Sequence, residues 1–159
     1  SLADNQLVEL PLAIRKLHAL RHLCLDANFV TRLPVWLGES VTLTSLSANN
    51  NHLSALPEEI GRLSALRELQ LSGNAISDLP ERLFLLTNLT RLRLSRNRIG
   101  ALSRDVARLK CLTELSISSN RLKTLPPSLS SLPGLEALNV QGNADLLPSL
   151  PEGILARST

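Results

Sequence analysis

Methionine and tyrosine are absent from this 159-residue chain, which holds one tryptophan and two phenylalanines. A core of interlocking aromatic rings is therefore excluded, although 43% of the residues are hydrophobic. Most of that apolar content is leucine, and one aliphatic side chain used this often points to an environment that repeats. Only two cysteines are present, Cys24 and Cys111, too few for a disulfide framework. No apolar run reaches the roughly 18 residues of a membrane-crossing helix; the longest is broken, as in LFLLTNLT. The opening SLADNQLVEL has neither the basic start nor the apolar centre of a signal peptide. These absences set the expectation of an intracellular, cytoplasmic protein of one domain, burying about two-thirds of its unfolded surface if compact.

Acidic charge is scarce in one place. Between residues 89 and 111, Arg91, Arg93, Arg96, Arg98, Arg104, Arg108 and Lys110 stand against Asp105 alone, whereas the whole chain has a formal charge of only +3. The remaining residues are therefore net acidic, and the positive charge belongs to a single segment.

What the chain has in abundance is order. Asparagine recurs at Asn5, Asn28, Asn51, Asn74, Asn97, Asn120 and Asn143, every 23 residues without insertion or deletion. Around each runs the frame L-x-x-L-x-L-x-x-N-x-L-x-x-L-P-x-x-L-x-x-L. In LRELQLSGNAISDLPERLFLLTN its apolar slots are Leu66, Leu69, Leu71, Ile76, Leu79, Leu83 and Leu86. Across the five complete repeats, starting at 20, 43, 66, 89 and 112, only Ser40 departs from the apolar-or-Asn rule. A partial repeat covers 1–19, with Leu2, Leu7, Leu10, Ile14 and Leu17 in its later slots, and an irregular last repeat covers 135–159. The L-x-L alternation sends Leu92 and Leu94 inward and Arg91, Arg93 and Ser95 outward, so equivalent strands stack as a parallel sheet about 4.8 Å apart. After the loop leucine and Pro11, Pro34, Pro57, Pro80 or Pro126, the apolar period lengthens to that of a helix-like return. No repeat can bury its leucines alone, so the stack is the folding unit. A coiled coil fails because 23 is no multiple of seven and prolines interrupt nearly every period.

This frame resembles the leucine-rich repeats, in the 23-residue subtype with the L-P-x-x-L signature, found in intracellular Ras-pathway scaffolds, plant Ras-group proteins and many bacterial proteins. The resemblance covers essentially the whole chain. It implies an α/β solenoid: a horseshoe with a concave parallel β-sheet and short helical or 3-10 returns on the convex side. It also implies that each Asn amide bonds backbone groups of the adjacent turn. Neither end carries a capping element, so 1–159 is expected to be a single leucine-rich-repeat domain within a longer protein, or to be capped by a neighbouring chain.

Function falls to the variable, outward slots. Arg91 lies between Glu68 and Glu114 on the neighbouring strands and is expected to pair with both. Arg93 has only Gln70 and Ser116 beside it in register and is expected to lack a partner within the sheet. Arg96, Arg98 and Arg121 gather on the rim around the asparagines. Four unpaired guanidiniums would suit a partner bearing carboxylates or phosphates, whose geometry they match bidentately. Phe29 is a rim aromatic and a candidate hot spot, while Trp36 reads as structural. The expected partner-binding set is Arg93, Arg96, Arg98, Arg121, Gln70, Ser116 and Phe29.

Other classes fit less well. The basic segment offers no aromatic on which bases could stack, which argues against nucleic acid. His22, Cys24 and Asp26 share one strand face, yet their Cβ atoms stand roughly 6.5–7 Å apart, too far for a nucleophile and its base. No catalytic, metal or cofactor residue is expected, and the chain is read as a protein-interaction scaffold binding an acidic or phosphorylated segment, with signalling as its setting. Two alternatives stand: the substrate-recognition region of a larger enzyme, such as a ubiquitin-ligase effector or protein kinase, and a structural subunit of a large assembly. Sequence leaves the oligomeric state open.

Overall fold

The computed structural model describes residues 1–146, so the expected last repeat, 135–159, is described only as far as Leu146. Six three-residue strands, β1 (His22–Cys24), β2 (Ser45–Ser47), β3 (Glu68–Gln70), β4 (Arg91–Arg93), β5 (Glu114–Ser116) and β6 (Ala137–Asn139), form one parallel sheet in chain order. Each residue pairs with the one 23 positions later, as Leu46 with Leu69 and Leu69 with Leu92. The partial first repeat forms no strand, but its backbone joins the stack through Leu2 N to Cys24 O and Asp4 N to Asp26 O.

Strands end after three residues because of the backbone that follows. The residue before each Asn lies in the left-handed region: Asp4, Ala27, Asn50, Gly73, Arg96, Ser119 and Gly142, with φ between +52° and +71°. Only two of the seven are glycine, so the others hold a conformation that costs an L-residue about 1–2 kcal/mol. The stack holds them there. Ala27, Asn50, Gly73, Arg96 and Ser119 each donate a backbone N–H to a carbonyl of the next coil.

The asparagine then closes the corner. In the six coils from Asn28 to Asn143, Oδ1 accepts the backbone N–H of the residue 21 positions earlier. Nδ2 donates to the carbonyl 26 positions earlier. The expected bond to the adjacent turn is therefore present in both directions, and these backbone groups are ones that no ladder could satisfy. Asn5 bonds Leu2 O and Ala3 O of its own turn.

Every described return is a five-residue 3-10 helix, as in Glu58–Arg62 and Glu81–Leu85. Five follow a proline; the fifth return, Arg104–Arg108, follows Ser103, whose hydroxyl accepts the Asp105 N–H at 3.1 Å and supplies a cap instead. Leu66, Leu69, Leu71, Ile76, Leu83 and Leu86 are all buried to 1% exposure or less. Each such leucine contributes about 1.5–3 kcal/mol by leaving water. Leu79, the loop leucine before proline, is only partly covered.

Candidate functional site

The sheet fixes the outward side chains in rows that run across the coils. In the first row Glu68, Arg91 and Glu114 are in register, as the sequence predicts. Arg91 nevertheless takes only one of the two acids, with its Nη1 2.8 Å from Glu68 Oε1.

Glu114 turns to the second row and corrects the expectation for Arg93. Arg93 Nε and Nη2 donate to the two Glu114 carboxylate oxygens at 2.7 and 3.1 Å. Arg93 is therefore not a free guanidinium, because a long side chain reaches the diagonal neighbour as readily as the one directly opposite. The hydrogen bond from Arg93 holds the Glu114 carboxyl below its ordinary range, against the opposing push of partial burial and aided by the charges of Arg93 and Arg91. The same bond raises the Arg93 guanidinium.

A stability consequence follows with a definite sign. A carboxyl whose pKa is depressed by folding contributes stability above its unfolded value and loses it as pH falls through the folded value. Glu114→Gln is expected to cost less than about 1 kcal/mol near neutrality, since the Arg93 side chain is still 43% exposed and water screens the pair. Below the ordinary glutamate range, wild type and variant should converge in urea denaturation. A difference that persists in acid would refute the pairing as its source.

Gln70 and Ser116, also candidates for partner binding, are engaged in the floor. Gln70 Oε1 lies 3.5 Å from Asn49 Nδ2, and Ser116 Oγ is 2.7 Å from Ser95 Oγ. Ser95 in turn accepts from Ser118 at 2.8 Å. The Asp26 carboxylate is similarly occupied, accepting the Ser47 hydroxyl at 2.6 Å and the Asn49 backbone N–H at 2.7 Å. Asn49 repeats this for the Ser72 N–H at 2.8 Å. Asp26 is thus a lattice element of the concave floor rather than a partner for His22 or Cys24. Among the described residues no group of three His, Cys, Asp or Glu side chains is placed to hold a metal ion.

The rim differs. Arg96, Arg98 and Arg121 are exposed, and among the described residues no side chain pairs with any of them. Arg98 and Arg121 stand in neighbouring coils at the same slot, and Arg96 precedes Asn97 with φ +55°. Arg104, Arg108 and Lys110 lie on or beside the fifth return instead, where Arg108 meets Asp105 at 3.5 Å. The segment's seven cations are thereby sorted into paired, convex and free, and only Arg96 and Arg98 remain at the rim, joined there by Arg121 of the next coil.

Phe29, 48% exposed, is joined by a residue that sequence reasoning passed over. The His52 ring lies 5.6 Å from it, tilted by 35°. Phe29 and His52 are one repeat apart, so the 23-residue offset already carried that signal. Trp36 packs against the core and, with Leu10, Leu12, Leu33 and Val35, lines an apolar groove where the first two returns begin. Both cysteines are free thiols, Cys111 exposed. No described helix is long and apolar enough to cross a membrane.

Comparison with known proteins bears on this geometry. A search of curated proteins gave no significant match. Among solved structures, a leucine-rich-repeat protein of Leptospira interrogans is 34% identical with a TM-score of 0.89, over 95% of this chain and 38% of that one. The leucine-rich-repeat domain of the type III effector XopL is 32% identical with a TM-score of 0.84, over 91% of this chain and 52% of that one. The ectodomain of the Arabidopsis thaliana membrane receptor kinase GASSHO1/SCHENGEN3, solved in complex with CASPARIAN STRIP INTEGRITY FACTOR 2, is 30% identical. Its TM-score is 0.79, over 84% of this chain and 17% of that one. The chain thus spans less than two-thirds of each of these structures. The family model for leucine-rich repeats matches residues 41–99 and 87–144, more than half the sequence. With the 23-residue register, the asparagine corners and the parallel sheet in place, the chain belongs to the leucine-rich repeat family.

Proposed function

We propose that this chain is a protein-interaction module whose rim arginines, Arg96, Arg98 and Arg121, dock an acidic or phosphorylated segment of another protein. The observation that carries the reading is selective pairing. On the strands the guanidiniums are neutralised, Arg91 by Glu68 and Arg93 by Glu114, while the three at the rim meet no carboxylate among the described residues. Guanidinium forks left in water are ready to take carboxylate or phosphate at little reorganisation cost. The similar receptor ectodomain solved with a bound factor supports recognition as the class of function. Free thiols at Cys24 and Cys111 support a reducing, intracellular setting. A second reading, the recognition region of a larger enzyme, draws on the likeness to the receptor-kinase ectodomain and the effector domain. A catalytic domain encoded beside this one would select it.

The test compares wild type with an Arg96→Gly/Arg98→Gln/Arg121→Gln variant in affinity capture from native lysate over a salt series. Glycine suits the left-handed backbone at position 96, and neither other residue fills a core slot, so the thermal midpoint should hold or rise. Recovery should fall by about tenfold or more, with a weaker salt dependence. Equal recovery with equal salt dependence would show that the rim charge is solvation only.

A further inference from the structure

From Asn28 to Asn120 the slot after each repeat asparagine forms a row along the rim: Phe29, His52, Ala75, Arg98 and Arg121. Their backbone N–H groups donate in turn to Leu7, Val30, Leu53, Ile76 and Ile99 of the preceding coil at 2.8–3.0 Å. The row therefore rises one residue per coil in hydrogen-bonded register, about 4.8 Å at each step. Its chemistry is graded: two rings in tilted contact, a methyl group, then two exposed cations without a side-chain partner among the described residues. No position in the row is acidic.

Resting on the interaction reading above, we infer that this row is a composite site for an acidic peptide laid across the coils. A large apolar side chain sits on the Phe29–His52 pair, the peptide crosses the low step at Ala75, and its carboxylates meet Arg98 and Arg121. The spacing sets the motif. His52 to Arg98 is two coils, about 10 Å, and Phe29 to Arg121 is four, about 19 Å. An extended peptide advances about 3.3 Å per residue, so the acid stands three to six positions from the apolar anchor. Exposed aromatic surface anchors such contacts because water released from a ring adds to the charge pairing. A nucleic acid is the less favoured occupant. The row has a single exposed phenylalanine and two cations, and the adjoining strands carry Glu68 and Glu114.

The test uses the full chain, immobilised and panned against a phage-displayed library of random dodecapeptides. Enriched peptides should combine an aromatic or large aliphatic residue with Asp or Glu three to six positions away. The synthetic peptide of the strongest clone should lose about tenfold or more in affinity with Phe29→Ser/His52→Ser, and likewise with Arg98→Gln/Arg121→Gln. All four side chains are exposed, and unchanged melting curves confirm intact folding. An acid-only consensus, or affinity indifferent to the Phe29→Ser/His52→Ser change yet lost with the arginines, overturns the composite site and leaves the basic-rim reading standing. Absence of any acidic consensus, or indifference to the arginine changes, overturns both. Binding of a twelve-nucleotide uridine oligomer with the same arginine dependence also overturns the peptide occupant.

Discussion

Asn97→Ala is expected to lower the unfolding free energy by about 2–4 kcal/mol, since it orphans one buried N–H, at about 1–3, and takes one donor from each of two carbonyls that keep a second, from Asn74 and Asn120 Nδ2. Those groups are the Ile76 N–H, 3.0 Å from Asn97 Oδ1, and the Leu71 and Leu94 carbonyls, each 2.9 Å from Nδ2. Two of the three belong to the preceding coil, so the loss also uncouples neighbouring turns. Nearest-neighbour coupling is what makes a solenoid melt as one unit, and the transition should broaden as well as shift. Asn97→Asp tests the donor half separately. It keeps an acceptor for Ile76 but turns carboxylate lone pairs toward two carbonyls, and it should recover stability as acid protonates that oxygen. The control is internal. Asn5 bonds only carbonyls of its own exposed turn, so Asn5→Ala should change stability by less than about 0.5 kcal/mol. Chemical denaturation of the three variants decides it: similar effects at positions 5 and 97 would mean that the inter-coil bonds contribute little.

Gly61→Ala should destabilise by about 1–3 kcal/mol, although helix propensity alone predicts a gain of about 0.5–1. Gly61 lies within the return Glu58–Arg62. A Cβ there would fall 2.8 Å from both the carbonyl carbon and the Cβ of Arg82 in the next return. Neither is the end of a flexible chain, so the two returns must part along the convex side. Gly38 faces the same constraint, with a Cβ 2.5 Å from Glu59 O. One and two coils later the slot holds Phe84 and Ala107, so the restriction is local to these returns rather than general to the repeat. Gly100 offers the comparison, with nothing within 4 Å of its Cβ position. Gly100→Ala should be neutral within about 0.5 kcal/mol or slightly stabilising. Thermal melts showing Gly61→Ala as stable as wild type would mean that the returns slide apart at no cost.

The frame was legible because every coil meets the same demands. Leucines at fixed intervals must leave water, and one amide must serve the corner of each turn, so one period of sequence describes all of them. The left-handed slot was not legible in the same way. Gly73 and Gly142 signal it, but Ala27, Arg96 and Ser119 do not, because coil-to-coil hydrogen bonds impose the conformation on side chains that do not prefer it. Ser103 in place of proline likewise hides its role until its hydroxyl is seen on the Asp105 N–H.

The candidate site divides along the same line. Sequence placed Glu68, Arg91 and Glu114 in one row and Arg98 beside Arg121, because register follows from the repeat length alone. It assigned Glu114 to Arg91, and the folded chain gave it to Arg93. It noted Phe29, and folding brought the His52 ring against it. The sequence by itself determined the architecture, the register and which residues face outward, since these depend on burial, which repeats. Tertiary structure alone decided which charges are spent on one another and which face solvent. A long side chain chooses among several neighbours at similar distance, and that choice depends on their packing rather than on position along the chain.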